Sequence, residues 1–266
     1  MVSKKQNLYF KPLICLPKSI KSNKVSLNTM MKLSIIIPVY NEEKTVIEIL
    51  DRVKNQKIDG VEKEIIVVDD GSTDSTAQKL KSIKGNDFKI IFQEKNGGKG
   101  SAVRTGIKHA TGEYIIIQDA DLEYHPKFIN DLIKPILEKK ADVVYGTRLD
   151  RMPHLKEEEA KHLFILHYFG NRFLSLVTSV LYGQWITDME TCYKLFPKKA
   201  MEGITLHARG FELEPEITAK LLKKGYKIKE VSISVTPRGY DEGKKLNTVR
   251  DGLKALWSLV KYRFTD

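Results

Sequence analysis

The chain has 266 residues, 41% of them hydrophobic and 30% charged, which is enough apolar material for one large α/β domain or two small ones. Two cysteines, Cys15 and Cys192, exclude a disulfide framework and favour a reducing compartment. No apolar run approaches the roughly 18 residues of a membrane-spanning helix. The net charge of +11 lies largely in the first 30 residues, and the remaining +5 fits an anionic small molecule or an anionic lipid and does not require nucleic acid as a partner.

The first 30 residues differ in composition from the rest of the chain. They contain six lysines and no acid, are rich in Ser and Asn, and show no sustained apolar periodicity. A segment of this kind cannot bury a core of its own. We therefore predict a basic, disordered extension at 1–30 and a single folded domain at 31–266.

The first half of the folded domain alternates between strand-like and helix-like segments. Runs rich in Ile and Val predict strands at 33–39, 64–68, 89–92, 114–117 and 142–145. Helix-like segments lie between them at 43–55, 74–83, 100–110 and 126–139. Runs that are apolar throughout indicate strands buried on both faces, and their alternation with helices predicts a Rossmann-like α/β fold with a mostly parallel central sheet flanked by helices.

The pattern changes after residue 150. The apolar segment 156–183 predicts one long helix or a broken pair, interrupted at Gly170-Asn171-Arg172. Further elements are predicted as a strand at 190–196, a helix at 214–224, a strand at 227–235, a polar loop at 237–248 and a helix at 249–263. The last helix is amphipathic and basic, which is typical either of a membrane-interface helix or of a terminal helix packed on its domain. The segment 162–182 is the stronger candidate for a membrane-facing element.

An acidic cluster directly follows the strand predicted at 114–117. Asp119 and Asp121 can both reach one cation once the backbone leaves the extended form, and Glu123 is placed to add a third oxygen. Hard oxygen ligands of this kind suit Mg²⁺ or Mn²⁺. The alternative is a solvated acidic loop that precedes the next helix.

The first strand ends in the polar sequence 38–43. Tyr40 can stack on a nucleobase, and Glu42 can accept a hydrogen bond from the base or its ribose. These residues also suit a helix N-terminus, with Asn41 as the cap and the acids favoured by the helix dipole. Both interpretations can hold at once.

Two further clusters end the second and third strands. After the second, Asp70 can accept the imino proton of uracil or guanine, whereas Ser72 and Asp74 better suit a turn and a helix cap. After the third, the glycine-rich loop at 96–102 lacks the third glycine of a dinucleotide fingerprint and the spacing of a P-loop. It either brings backbone amides or Lys99 toward a ligand or only turns the chain.

Four polar clusters thus follow four successive strands. In a mostly parallel sheet the carboxyl ends of the strands share one edge, and ligands bind there. The set therefore predicts a single site for an anionic ligand and a divalent metal.

These residues, in this order, resemble the donor-binding half of family 2 inverting glycosyltransferases, which have the GT-A fold. The resemblance rests on the segments IIIPVYNEE, IIVVDDGSTD, NGGKGSAVRTG and QDADLEYHP. Later segments are similar to the polyprenyl-phosphate (dolichyl-phosphate) mannose and glucose synthases, namely ADVVYGTR, ITDMETCYKLF, GFELEPEITAKLLKKGY and EVSISVTPRGYDEGKKL. The resemblance covers about residues 32–264.

The resemblance implies roles for individual residues according to their place in these segments. Donor contacts are implied at Pro38, Tyr40, Glu42, Val68, Asp70 and Ala120, and metal and diphosphate contacts at Asp119, Asp121 and Glu123. The diphosphate or the lipid phosphate would be met by Arg148, Arg238 and Lys244 or Lys245. The acceptor phosphate would be met by Arg172 and Ser175, although Arg172 also suits an ordinary helix surface. The implied catalytic set is Asp121, Arg148 and Arg238.

The implied activity is metal-dependent, inverting transfer of a hexose from a GDP- or UDP-hexose to a polyprenyl phosphate, with Mg²⁺ or Mn²⁺ as the cofactor. Such an enzyme is expected in the cytoplasm, bound peripherally to the cytoplasmic face of a membrane, with no nucleic-acid partner. The first alternative is a related enzyme that glycosylates a hydroxyl of a glycan or lipid, for which the acids of FELEPE would supply a base. A non-catalytic nucleotide-sugar-binding module is a second alternative.

Overall fold

The computed structural model describes residues 30–149, 162–236 and 248–265. In these ranges seven strands occur at β1 (Met31–Val39), β2 (Val61–Asp69), β3 (Phe88–Phe92), β4 (Tyr114–Ile117), β5 (Val143–Thr147), β6 (Lys194–Pro197) and β7 (Ile228–Ser232). The α-helices are α1 (Val46–Asn55), α2 (Thr76–Ser82), α3 (Lys99–His109), α4 (Ile129–Leu137), α5 (His162–Tyr182), α6 (Leu213–Lys223) and α7 (Thr248–Phe264). Short 3₁₀ helices occupy Pro126–Phe128 and Lys198–Met201.

The seven strands form one sheet in the order β3-β2-β1-β4-β6-β5-β7. β1 pairs in parallel with β2 and β4, β2 with β3, and β5 with β7, whereas β6 runs antiparallel to β4 and β5. The carboxyl ends of the six parallel strands therefore share one edge, and the loop that leads into β6 reaches the same edge. The predicted α/β fold with a mostly parallel sheet is confirmed.

The core forms around the central strands. Every residue of β1 from Leu33 to Val39 is buried, and Ile115 to Ile117 of β4 are fully buried beside it. Helix α1 covers the sheet with Ile49, Leu50 and Val53. Burying a side chain of this size stabilises the fold by about 1.5–3 kcal/mol. The rigid centre of the sheet thus lies directly beneath the polar edge.

One alternative in the second half is settled, and one prediction needs correction. Helix α5 runs without a break through Gly170, so the segment predicted as one long helix or a broken pair forms a single helix. Strand β6 begins at Lys194 rather than at residue 190. Among the four residues before it, Cys192 donates its N–H to the hydroxyl of Tyr124 instead of to a neighbouring strand.

The predicted extension at 1–30 lies, apart from its last residue, outside the described residues. The same holds for Arg238, Lys244 and Lys245, which fall in the undescribed range 237–247. None of the helices that the structure describes combines the length and the apolar character needed to cross a bilayer.

Candidate active site

The acidic cluster forms a turn at the carboxyl end of β4. The chain leaves the strand after Ile117, and Leu122 adopts a positive φ of 66°, which is uncommon for a bulky residue. The Oδ1 atom of Asp121 accepts the backbone N–H of Glu123 at 3.1 Å. The backbone therefore leaves the extended form at this turn. This is the condition under which Asp119 and Asp121 can both reach one cation.

Lys99, the first residue of α3, reaches across the edge to this turn. Its Nζ lies 2.8 Å from Asp119 Oδ1 and 3.0 Å from Glu214 Oε1 on α6. The other oxygen of Glu214 lies 3.1 Å from the Nζ of Lys194, a lysine with no exposed surface at the start of β6. The four side chains form a row of alternating charge that joins α3, β4, α6 and β6, which we call the charge row.

The charge row fixes the ionisation of its members. Burial disfavours the ammonium form of Lys99, but the acidic groups around it, Asp119 first among them and then Cys192 and Glu214, together hold the pKa of Lys99 well above its ordinary value. Burial likewise disfavours the ionised form of Asp119, but Lys99, a hydrogen bond with Cys192 and Lys194 together lower the pKa of Asp119. Asp119 is therefore a carboxylate at neutral pH.

The glycine-rich loop is held at its start by Asp70. The two carboxylate oxygens of Asp70 accept the backbone N–H groups of Gly97 at 3.0 Å and Gly98 at 2.7 Å. Burial raises the pKa of Asp70, and these two hydrogen bonds oppose the rise. Asp70 thus orients the loop that presents Lys99, which differs from the expected contact with a nucleobase.

The same loop packs against the chain that precedes α6. Gly98 has a φ of 87°, and the N–H of Gly100 donates to the carbonyl of Arg209 at 2.9 Å. A Cβ atom on Gly100 would lie only 2.1 Å from the carbonyl oxygen of Ala208. Glycine at this position lets the two backbones touch, which brings Lys99 within reach of Glu214.

The turns after β1 and β2 hold each other. Asn41 donates its N–H to Ser72 Oγ and accepts the N–H of Thr73, while Glu42 accepts from Thr45 Oγ1 and donates its N–H to Thr76. The N-cap of α1 is Thr45, so the predicted cap role of Asn41 is wrong, and Asn41 and Glu42 serve as turn residues that join the two loops.

The other donor positions of this part lie at the same edge. Pro38 and Val68 are paired across β1 and β2, Tyr40 directly follows β1, and Ala120 is buried in the acidic turn. Asp74 accepts the N–H of Thr76 at 2.9 Å, which is a helix-cap contact, as expected for that residue.

Arg148 follows β5 and binds Asp188 through a two-pronged contact. Its Nε donates to Asp188 Oδ2 at 2.7 Å and its Nη2 to Oδ1 at 2.8 Å, and its guanidinium lies 5.8 Å from the ring centre of Tyr124. Glu230 of β7 in turn accepts the backbone N–H of Asp188 at 3.0 Å. These contacts within the protein fix the orientation of the Arg148 guanidinium at the carboxyl edge of the sheet.

The two implied acceptor residues occupy different environments on α5. The Nη1 of Arg172 donates to the carbonyls of Thr187 at 3.3 Å and Leu149 at 3.5 Å, beside Arg148. Ser175 is only 1% exposed, donates to Asn171 and accepts the N–H of Met189 at 2.9 Å. Ser175 therefore holds the loop before β6, and its hydroxyl both donates and accepts a hydrogen bond within the protein.

The comparisons with known proteins agree with this geometry. Residues 34–205 match the family model described as glycosyl transferase family 2. The chain belongs to this family. It is 32% identical over 232 residues to an uncharacterized protein of Methanocaldococcus jannaschii, covering 85% of this chain and 90% of that one. It is 31% identical over 241 residues to a dolichol-phosphate mannosyltransferase of Pyrococcus furiosus, covering 87% of this chain and 64% of the relative.

A solved structure shows the same fold. Glucosyl-3-phosphoglycerate synthase from Mycobacterium tuberculosis, in complex with Mn²⁺, UDP and phosphoglyceric acid, superimposes with a TM-score of 0.65 at 18% identity. The match covers 89% of this chain and 80% of that one. The predicted GT-A fold of this family 2 glycosyltransferase is thus confirmed.

The metal set implied for the family is only partly assembled. Among the described residues, no three His, Cys, Asp or Glu side chains lie close enough to hold a metal ion together. Asp119 faces Lys99, and the N–H of Glu123 binds Asp121. The two aspartates still fit Mg²⁺ or Mn²⁺, because Mg²⁺ typically takes one or two carboxylates and completes its shell with phosphates and water.

Several residues of the site were missed by reasoning from the sequence. Asp188 and Lys194 both lie in the segment ITDMETCYKLF, which was noted only as a whole, and Glu230 lies in a predicted strand. The available signal was Lys194 itself. A lysine in a strand that is otherwise apolar needs an acidic partner, and Glu214 is that partner.

We expect Gly100→Ala to destabilise the protein, because the added Cβ would meet backbone atoms of Ala208 at 2.1 and 2.7 Å. Overpacking of this kind typically costs about 1–3 kcal/mol, which urea unfolding followed by circular dichroism can measure. Gly170→Ala is the matched control: it is also a helical glycine, and its Cβ would meet nothing within 4 Å. The control should be neutral or stabilising by up to about 1 kcal/mol. Equal stability of the two variants would contradict this account of the loop.

Proposed function

We propose that the protein transfers a hexose, with inversion, from a nucleotide-diphosphate sugar to a polyprenyl phosphate at a membrane surface, with Mg²⁺ or Mn²⁺. The observation that carries the proposal is that the Asp119–Asp121 turn, with Lys99 against it, and the oriented Arg148 both follow strands whose carboxyl ends share one edge of the sheet. It is supported by the 31% identity to a dolichol-phosphate mannosyltransferase and by a structural relative whose complexes contain Mn²⁺ and UDP-glucose.

The charges at this edge suit the departure of a nucleoside diphosphate. In the reaction an oxygen of the acceptor forms a bond to the anomeric carbon while the bond from that carbon to the diphosphate oxygen breaks. Negative charge then grows on the diphosphate, where Arg148 is already oriented by Asp188. Donors fixed in advance are the most effective stabilisers of such charge. A metal held by Asp119 and Asp121 would neutralise further charge on the same group.

The acceptor is inferred from the contacts of the FELEPE acids, which were expected to supply a base if the acceptor were a hydroxyl. A lipid phosphate is already an anion at neutral pH and needs no strong base, whereas a hydroxyl acceptor does. The FELEPE acids are all engaged: Glu212 accepts the N–H groups of Arg209 and Gly210, Glu214 faces two lysines, and Glu216 accepts the N–H groups of His207 and Ala208. Arg172, by contrast, contributes positive charge beside Arg148, as an anionic acceptor requires.

Helices α5 and α7 provide a surface suited to a membrane. They pack together, with Tyr182 Oη donating to the carbonyl of Leu259 at 2.8 Å. Each leaves an apolar stripe exposed, made of Phe169, Phe173, Leu176 and Val180 on α5 and of Val249, Leu253, Trp257, Val260 and Phe264 on α7. Exposed basic residues accompany the second stripe, namely Arg250, Lys254, Lys261 and Arg263.

Apolar stripes flanked by basic residues bind anionic membrane interfaces. The inner side of α5 also carries Arg172, so the same helix would connect the lipid surface to the site. Helix α7 packs on the domain through Ala255, Leu259 and Tyr262 while exposing its other side. The two interpretations of this helix that the sequence left open are therefore compatible.

The metal requirement is tested with Asp121→Ala. We expect its transfer rate to fall by at least about 100-fold, as for the loss of a main electrostatic contribution to the leaving group. Initial rates are measured with UDP-glucose and GDP-mannose, a short polyprenyl phosphate, and either Mg²⁺ or Mn²⁺. Asp131→Ala, at an exposed position on α4, should keep the full rate. Full activity of the unmodified protein in excess chelator would contradict the metal assignment.

The acceptor assignment is tested with Arg172→Ala. The variant should raise the apparent KM for the lipid phosphate about tenfold or more and leave the donor KM nearly unchanged, which is the pattern of a lost acceptor contact. Arg172→Lys, which keeps the charge, should recover part of the loss. Glu212→Gln should slow transfer far less than Asp121→Ala. If Glu212→Gln abolishes turnover while Arg172→Ala has no effect, the acceptor is a hydroxyl.

The membrane surface is tested by co-sedimentation with vesicles that contain anionic lipid. We expect the double variant Phe173→Glu/Trp257→Glu to bind at least about tenfold more weakly, because it places charge in both stripes. Ile47→Glu changes an exposed isoleucine on α1, outside the two stripes, and should bind like the unmodified protein. Equal binding by all three proteins would show that α5 and α7 do not form the membrane surface.

A further inference from the structure

Buried polar atoms without a hydrogen-bond partner are rare in folded proteins and call for an explanation. In the described part of the chain they occur on three side chains: Glu190, Thr191 and Glu214. The oxygens of Glu214 face the ammonium groups of Lys99 and Lys194 in the charge row, which accounts for them. The remaining two, Glu190 Oε1 and Thr191 Oγ1, belong to neighbouring residues in the loop between α5 and β6.

The backbone of the loop that carries these two residues is hydrogen-bonded at several positions. Glu230 accepts the N–H of Asp188, Ser175 accepts that of Met189, and Tyr124 accepts that of Cys192. The ammonium group of Lys194 also binds the carbonyls of Met189 and Thr191. A loop fixed in this way does not rearrange easily to give Glu190 and Thr191 new partners within the protein.

Glu190 lies in the loop between Asp188, which binds Arg148, and Lys194 of the charge row. Burial raises its pKa to about 7, Lys194 and Arg148 oppose the rise, and Glu214 and Asp188 add to it. These four residues belong to the charge row and to the Arg148–Asp188 pair. Near neutral pH the carboxyl group can therefore both donate and accept a hydrogen bond, which suits hydroxyl groups better than an anion.

We propose that Glu190, with Thr191 beside it, binds hydroxyl groups of the hexose that the donor carries. The inference rests on the proposed function, in which the diphosphate is held by the Asp119–Asp121 turn and Arg148. The hexose is bonded directly to that diphosphate, so in the bound donor it would lie close to the loop between Asp188 and Lys194. Its hydroxyls would supply the hydrogen bonds that Glu190 Oε1 and Thr191 Oγ1 lack.

The test combines protein variants with donors that each lack one hydroxyl. Transfer is measured as kcat/KM for UDP-glucose and GDP-mannose and for their monodeoxy forms, with the unmodified protein, Glu190→Gln and Thr191→Val. We expect Glu190→Gln to lower kcat/KM for the intact donor about tenfold, as for the loss of a hydrogen bond to an acidic group. The inhibition constants of UDP and GDP, which carry no hexose, should change less than twofold.

The decisive measurement combines the change in the protein with the change in the donor. With the unmodified protein, kcat/KM should be about tenfold lower for at least one monodeoxy donor than for the intact donor. With Glu190→Gln, kcat/KM for that monodeoxy donor should be no lower than for the intact donor, because the substitution and the deoxygenation remove the same hydrogen bond. Thr191→Val should show the same behaviour with a smaller loss. Both variants keep the shape of the original side chain, and their melting temperatures report separately on folding.

Other outcomes overturn the inference in distinguishable ways. If the fold-losses in kcat/KM from Glu190→Gln and from deoxygenation multiply for every deoxy donor, Glu190 does not contact the hexose. If the inhibition constants of UDP and GDP rise as much as kcat/KM falls, its role is structural. If Glu190→Gln abolishes turnover with every donor and removes an ionisation near pH 7 from the rate profile, Glu190 is a base for a hydroxyl acceptor, and the acceptor proposal fails as well. If the unmodified protein transfers from neither nucleotide sugar, the proposed function itself is contradicted.

Discussion

The pairing of charges along the carboxyl edge of the sheet is the constraint on which the site depends. Lys99, Asp119, Glu214 and Lys194 come from four different elements and form one row of alternating charge, in which Glu214 and Lys194 are buried and the other two are partly buried. Removing one partner of the buried pair would leave an uncompensated charge, which is far more costly than losing an exposed pair. The row therefore holds α3 and α6 in position over the carboxyl ends of β4 and β6 and keeps Asp119 ionised. The glycines that let α3 approach residues 208–209 serve the same contact.

Much of the scaffold could be predicted from the sequence because burial leaves a local pattern. Each of the first five strands is an apolar run, and each polar cluster follows directly where its run ends. Parallel pairing then fixes that the clusters share an edge, as the register of Pro38 with Val68 and of Ile36 with Ile117 shows. The acidic turn could be located for the same reason, since a ligand-binding edge needs only the order of the strands.

The partners within the site could not be predicted, because apolar periodicity shows which residues are buried and not what they contact. Lys99 and Glu214 are 115 positions apart, and nothing local to either indicates the other. Asp70 was expected to contact a nucleobase, and in the structure it accepts the backbone N–H groups of Gly97 and Gly98. A carboxylate at a strand end binds whichever N–H groups the next loop presents, and the sequence does not show which groups those are. Ser175 looked suited to a phosphate, but its side of α5 faces the loop before β6.

The electrostatics of the edge also bear on how a donor would enter. Among the described residues, Lys99 and Arg148 are the cations placed near the Asp119–Asp121 turn, and both are already paired with carboxylates. Lys99 pairs with Asp119 and Glu214, and Arg148 pairs with Asp188. A bare diphosphate would therefore meet little uncompensated positive charge, and the carboxylates of the turn would repel it. A diphosphate that enters with a divalent cation brings much less net charge, and the cation satisfies the carboxylates while the anion reaches Arg148. Under the proposed function, the balance of charge among the described residues thus favours joint binding of metal and donor over binding of either alone.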